Sequence, residues 1–168
     1  MKPRVLLLAD EPGWGFDVNL RDLAAHLASE FDFAHWYCCA QGPPRHAREF
    51  AVIYAAYRWD LDRTPGGFPY VRAVGSLRCS IFDPARPGPP TPSDVAFVNR
   101  WAAFHTTTRG AYDELRAARC PRVSYLTNPV NVRRFAEVQP AQGRPVASWS
   151  GNALHGNGRG LRVKGLDE

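Results

Sequence analysis

The sequence predicts an α/β fold in which a mostly parallel sheet carries helices on both faces. Short apolar runs recur along the chain, beginning at 4–9, and indicate buried strands. The first run is followed by a loop with two glycines and then by an apolar stripe of helical spacing. Strands that alternate with helical or irregular crossovers are typical of a parallel sheet whose two faces are covered.

The first half of the chain contains one predicted helix and four predicted strands. The helix follows the loop at 10–15, and Asp17 is its candidate N-cap. Its apolar stripe consists of Leu20, Leu23, Ala24 and Leu27. After the first strand, further strands are predicted at 31–39, 50–57 and 70–74. Residues 41–49 are few for a crossover helix, so an irregular connection is expected there.

The second half begins with a proline-rich segment. Five prolines in residues 84–92 predict a surface loop, although the same composition also fits a flexible linker. A helix is predicted at 95–103, with Ser93 and Asp94 as its cap pair. Two short strands follow at 104–107 and 123–126, separated by a helix at 110–118 that Thr107 or Thr108 caps.

A change in composition predicts a domain boundary near residue 137. The segment after Phe135 is polar and contains Pro140 and Gly143, which is typical of a linker. A new strand is predicted from Pro145. The expected organisation is a first domain at 1–137, a linker at 138–144 and the beginning of a second domain at 145–168.

The charge pattern favours a small anionic ligand, such as a phosphate, over nucleic acid. The net charge of +5 comes almost entirely from arginine, since lysine occurs only at positions 2 and 164. The arginines are scattered and form no basic helix, which excludes nucleic acid as an expected partner.

The chain contains no predicted membrane span, secretion signal or metal motif. Its longest uncharged apolar run, 50–57, has 8 residues, whereas a membrane-spanning helix needs about 20. The apolar run after Arg4 is too short for a signal peptide, so a cytoplasmic location is expected, with peripheral membrane contact left open. The four cysteines lack metal or redox spacing and are expected to be buried, reduced thiols.

Three passages occur in the order found in a known enzyme family. The opening strand runs into 10–17 (DEPGWGFD), the strand at 123–126 runs into 128–131 (NPVN) with Phe135 nearby, and 146–152 (VASWSGN) precedes 164–167 (KGLD). In these passages the chain resembles the N-terminal half of a GT-B-fold glycosyltransferase of the family-four, or group 1, type. It departs from that family's N-G-V-D at Pro129 and Asn131, and from its arginine at Asn152.

This resemblance implies a Rossmann-like, acceptor-side N-terminal domain followed by the start of a donor-binding domain. The implied reaction is retaining transfer of a sugar from a nucleotide-sugar donor to a hydroxyl acceptor, with no cofactor and no metal expected. The family's donor carboxylates lie deep in the second domain, so these 168 residues are expected to be inactive alone. A nonenzymatic sugar- or nucleotide-binding domain is the alternative. A receiver module is disfavoured, because no lysine lies between Lys2 and Lys164.

All but one of the candidate substrate-binding residues follow predicted strands, at the edge where open α/β sheets bind ligands, and the exception, His105, lies within the strand predicted at 104–107. They are Asp10, Glu11, Gly13, Trp14, Gly15, Ser76, Arg78 and His105. Asp10 and Glu11 are expected to accept a hydrogen bond from an acceptor hydroxyl, since adjacent strand side chains diverge too far for joint chelation. The resemblance adds Gly151, Asn152 and Lys164 as donor phosphate contacts.

Several of these candidates carry two interpretations. The two loop glycines permit either close approach of a ligand to a helix N-terminus or a tight structural turn. His105 is interpreted as structural or cleft-lining. Trp14 and Trp59 are the better candidates for stacking on a sugar, while Trp36 and Trp149, on predicted strands, are expected in the core.

Overall fold

Six parallel strands form the sheet in the part of the chain that the structure describes. The structure is a computed structural model and describes residues 1–56, 61–77 and 89–127. The strands are β1 (Arg4–Ala9), β2 (Asp32–Tyr37), β3 (Val52–Ala55), β4 (Ala73–Leu77), β5 (Ala103–Thr106) and β6 (Val123–Tyr125). Their order is β2-β1-β3-β4-β5-β6, and every neighbouring pair is parallel. The predicted α/β class is confirmed.

Helices cover both faces of this sheet, as the sequence predicts. They are α1 (Gly15–His26), the single-turn α2 (Cys38–Gln41), α3 (Pro92–Asn99) and α4 (Arg109–Ala117). Short 3₁₀ turns lie at Ala47–Glu49, Leu61–Arg63 and Tyr70–Arg72. The connection between β2 and β3 is therefore irregular, as expected. No helix in the described ranges has the length and apolar character that a bilayer crossing requires.

Strand β1 contributes to two apolar cores, one on each face. Its odd-numbered residues pack with Leu20 of α1. Leu6 and Leu8 face the larger core, which also contains Trp101 and Leu115 of the α3–β5 connection and α4. Successive strand side chains point to opposite faces. A strand covered on both sides is therefore apolar at nearly every position, which explains the unbroken run at 5–9.

The fourth strand lies later in the chain than predicted. It was expected at 70–74, but Tyr70 belongs to a 3₁₀ turn and β4 begins at Ala73. The Tyr70 ring packs edge-on against Trp101 with centroids 5.0 Å apart, and its hydroxyl donates to Asp62 at 2.7 Å. These tertiary contacts outweigh the strand preference of an aromatic residue. Because β4 extends from Ala73 to Leu77, Ser76 lies within the strand.

Helix α3 begins earlier than predicted, at Pro92. Its N-cap is Thr91 rather than the pair at 93–94, although Asp94 takes part. The Thr91 amide donates to Asp94 Oδ2 at 2.7 Å, and the Asp94 amide donates to Thr91 Oγ1 at 3.4 Å. This reciprocal capping box, with proline at the first helical position, fixes the start of the helix.

The expectation that all four cysteines are buried is wrong for one of them. Cys38 and Cys120 are buried, and burial raises the pKa of the Cys120 thiol. Cys39 is exposed, because β2 ends at Tyr37 and the chain turns into α2. Cys79 lies outside the described residues, as do the predicted domain boundary and everything assigned to the second domain.

The chain changes direction across the sheet at β1. Strand β1 pairs with β2 on one side and with β3 on the other, so the crossovers on its two sides run in opposite directions. In open α/β sheets such a switch point leaves a crevice at the carboxyl ends of the strands, where ligands bind. The loop between β1 and α1 lies at this end of the sheet.

Candidate functional site

The loop between β1 and α1 contains a tight turn of defined type. The Trp14 amide donates to the Glu11 carbonyl at 3.4 Å across Pro12 and Gly13. Gly13 has φ of 79°, and the proline ring fixes a negative φ at the position before it. A turn with this pair of signs is type II, which favours proline and then glycine in the middle. Gly13 therefore forms a tight turn.

Replacing Gly13 by alanine is expected to destabilise the protein by about 1 kcal/mol, because an L residue at positive φ is strained. Gly15→Ala is the matched control: a Cβ meets open space at both positions, but only Gly13 has positive φ. The control is expected to be neutral or stabilising by up to about 1 kcal/mol, since Gly15 begins α1. Urea unfolding of both variants measures the difference, and equal effects would contradict the turn assignment.

Asp10 directly precedes this turn, and Trp14 is its last residue. Asp10 Oδ1 is buried and has no hydrogen-bond partner in the described ranges. The Asp10 carbonyl accepts from the Cys39 amide at 3.1 Å, which fixes the backbone against the end of β2. Trp14, the N-cap of α1, leaves 46% of its surface exposed. A buried acceptor without a donor is costly, so a donor group from a ligand would be favoured at this point.

Asp17 occupies the centre of this region, and its predicted role as an N-cap is wrong. Helix α1 begins two residues earlier than Asp17, and the Asp17 side chain is fully buried. One carboxylate oxygen accepts from the Gly13 amide at 2.7 Å, and Arg21 Nε donates to both oxygens at 2.9 and 3.0 Å. Tyr37 of β2 donates its hydroxyl at 2.9 Å. A carboxylate in the first helical turn with arginine four residues later was the available sequence signal.

The surroundings of Asp17 keep its carboxylate charged. Burial raises the pKa of Asp17, but the hydrogen bonds from Gly13, Arg21 and Tyr37 together hold it below its usual value. His35 Nδ1 lies 3.9 Å from the carboxylate. Burial lowers the pKa of His35, against the opposing effect of the Asp17 charge. At neutral pH the region therefore contains an ionised carboxylate beside a neutral imidazole.

Ser76 and His105 lie side by side on β4 and β5, each one residue before the last residue of its strand. Both side chains are buried, and the two residues are partners in the strand register. His105 Nε2 lies 2.6 Å from the Tyr54 hydroxyl, with the two rings stacked at 5.6 Å. Ser76 Oγ donates to the Ala55 carbonyl at 3.3 Å. This geometry favours the structural interpretation of His105.

Sequence reasoning missed Tyr54, the partner of this histidine. It lies 51 positions before His105, inside an apolar aromatic run that predicted only a strand. The hydrogen bond joins β3 to β5 across β4, and no local spacing indicates such a contact. Trp36 packs against the core, as expected, and Trp14, a candidate for stacking on a sugar, is exposed.

The remaining candidate residues cannot be placed. Arg78, Trp59, Gly151, Asn152 and Lys164 lie outside the described residues. Within the described ranges, no group of three or more histidine, cysteine, aspartate or glutamate side chains is arranged to hold a metal ion. Comparison of the chain with models of protein families, with curated proteins and with solved structures gave no significant match.

Proposed function

We propose that this chain is the acceptor-side part of a nucleotide-sugar-dependent glycosyltransferase, and that the β1–α1 loop binds the acceptor sugar. The observation that carries the proposal is the pairing of Asp10 and Trp14 around one turn. Asp10, directly before that turn, has a buried carboxylate oxygen with no donor among the described residues, and Trp14, which ends the turn, is about half exposed.

A sugar supplies what both groups lack. Its hydroxyls are hydrogen-bond donors for a carboxylate, which can only accept when ionised. The apolar C–H face of a pyranose ring can pack on an indole, which combines a large apolar surface with a polar end. The loop also lies at the switch point, where this class of sheet binds ligands. The stretch that resembles the family's first motif, 10–17, contains this loop and the first residues of α1.

The chain's own residues would bind and orient the acceptor sugar, and they would not transfer the donor sugar. Asp10 would accept a hydrogen bond from an acceptor hydroxyl and so direct the lone pairs of that oxygen toward the donor sugar. Trp14 would exclude water from one face of the ring. In the family that the sequence resembles, donor contacts come from the second domain. We therefore expect these 168 residues to bind an acceptor sugar without turning over UDP-glucose or GDP-mannose.

Replacing either flanking side chain is expected to weaken sugar binding. The protein is titrated by calorimetry and NMR with methyl glycosides of glucose, galactose and mannose. Asp10→Asn and Trp14→Ala should each lower the affinity about tenfold, whereas Trp14→Phe, which keeps an aromatic face, should lose less.

Val71→Ala is the control for this titration. Val71 is 79% exposed and belongs to the turn that precedes β4, at the opposite edge of the sheet. Its substitution should leave the affinity unchanged. Glycoside binding that survives both Asp10→Asn and Trp14→Ala would contradict the assigned site, and sugar transfer by this chain alone would contradict the assigned role.

A further inference from the structure

We propose that Asp17 is a positioning residue that selects the type II form of the β1–α1 turn and so sets how Asp10 and Trp14 face a ligand. The inference rests on the proposed function of this loop for its ligand, but its structural part can be tested without one.

The contacts of Asp17 come from three separate elements. The Gly13 amide belongs to the turn, Arg21 to α1 and the Tyr37 hydroxyl to β2. Arg21 Nη2 also donates to the Tyr37 hydroxyl at 3.1 Å, which links the last two donors to each other. The carboxylate is therefore fixed from the helix and the sheet, and its bond to Gly13 transmits that position to the turn.

The Gly13 amide is the group that distinguishes the two common forms of this turn. Types I and II differ by a flip of the peptide between the two central residues, here Pro12 and Gly13. In the observed form its N–H points at Asp17 Oδ2, 2.7 Å away. After a flip to type I, the Pro12 carbonyl would face the same carboxylate. A negative charge at this point therefore favours type II twice, by accepting the N–H and by repelling the carbonyl.

The proposed role requires the negative charge of the Asp17 carboxylate as well as the shape of the side chain. Among the described residues, all the groups at hydrogen-bond distance from the Asp17 carboxylate act as donors to it. An asparagine would turn its amide N–H₂ toward at least one of them, because it has only one accepting oxygen. Pro12 and Gly13 favour type II by themselves, so Asp17→Asn should weaken this preference, while it leaves the volume of the side chain nearly unchanged.

NMR of the full chain tests this directly. A short contact between Pro12 Hα and the Gly13 amide proton reports type II, and it should weaken in Asp17→Asn. Hydrogen exchange at the Gly13 amide should accelerate about tenfold, because a charge-assisted hydrogen bond has been lost. A folded Asp17→Asn protein that keeps both signals would overturn the proposal.

Asp62→Asn is the matched control. Asp62 accepts 2.7 Å hydrogen bonds from a tyrosine hydroxyl and an arginine, Tyr70 and Arg100, and so has similar partners. Tyr70 shortly precedes β4, and Arg100 shortly precedes β5. Both therefore lie at the amino ends of the strands, away from the turn. Both Gly13 signals should be unchanged in Asp62→Asn, and a change equal to that in Asp17→Asn would overturn the proposal.

A second variant decides the question if Asp17→Asn does not fold. Tyr37→Phe removes one donor that fixes the carboxylate, while the residues of the turn and the charge of Asp17 stay the same. Faster exchange at Gly13 supports the proposal, and unchanged exchange overturns it.

The second part of the test measures ligand binding, with whichever methyl glycoside binds the unsubstituted protein. Its affinity should fall about tenfold in Asp17→Asn and stay constant in Asp62→Asn. If no glycoside binds the unsubstituted protein, the proposed function fails, while the Gly13 signals still decide the role of Asp17.

Discussion

Gly75→Ala is expected to lower the free energy of unfolding by about 3 kcal/mol, because the added methyl group has no space. Gly75 lies in the middle of β4 and pairs with Phe104 of β5. A Cβ built there would lie 2.5 Å from Phe104 Cδ2 and 2.8 Å from Trp101 Cδ2. Both rings are buried within one aromatic cluster, so neither can move aside without displacing its neighbours.

Two further variants separate this steric effect from the general cost of replacing a glycine. Gly110→Ala, in the first turn of α4 where a Cβ meets open space, should stabilise the protein by up to about 1 kcal/mol. In Phe104→Leu the clashing ring is absent, so adding Gly75→Ala to it should cost less than adding it to the unsubstituted protein. Urea unfolding measures the free energies of the unsubstituted protein, the three single variants and the double variant. Additive costs at positions 75 and 104 would show that the contact is not the cause.

The sequence predicted best those elements whose burial gives a regular apolar pattern along the chain, such as a strand covered on both faces or a helix with one buried face. Strand β1 is covered on both faces, so its buried residues form one continuous apolar run and its bounds are as predicted. Helix α1 has its buried residues at helical spacing, including Leu20 and the partly buried Leu23 and Ala24. In both cases the pattern along the chain contains the whole packing requirement.

Two of the errors, at Tyr70 and Asp17, occur where a partner of the side chain lies far along the chain. Tyr70 has a strand-forming side chain, but its contacts with Trp101 and Asp62 place it in a turn. Aspartate is a residue type that favours N-cap positions, but one of the donors to the Asp17 carboxylate is the Tyr37 hydroxyl, 20 positions away on β2. The candidate site shows the same division. The positions of Asp10 and Trp14 beside a strand end were predictable, whereas the burial of the Asp10 oxygen and the turn type depend on three-dimensional packing.

Asp17→Asn is expected to cost about 2–4 kcal/mol at neutral pH, since it removes charge-assisted hydrogen bonds from a fully buried carboxylate. The pH dependence of this cost identifies its origin. The pKa of Asp17 is lower in the folded protein than its usual value, and an aspartate in an unfolded chain titrates near about 3.9. The stabilisation by the charge is therefore complete above about pH 4 and is lost as the pH falls through the folded-state pKa.

The stability curves of the two proteins should therefore converge in acid. The unsubstituted protein should lose stability steeply below about pH 4, while Asp17→Asn, which has no proton to bind at this position, should lose less. Chemical unfolding at a series of pH values from neutral to acid measures both curves.

Asp62→Asn provides the comparison: its carboxylate also has a lowered pKa, but 61% of that side chain is exposed. Solvent screens such a pair, so its substitution should cost at most about 1 kcal/mol. Parallel curves for the unsubstituted protein and Asp17→Asn would mean that the asparagine acts through altered packing, and the charge of Asp17 would then have no special part in holding the turn.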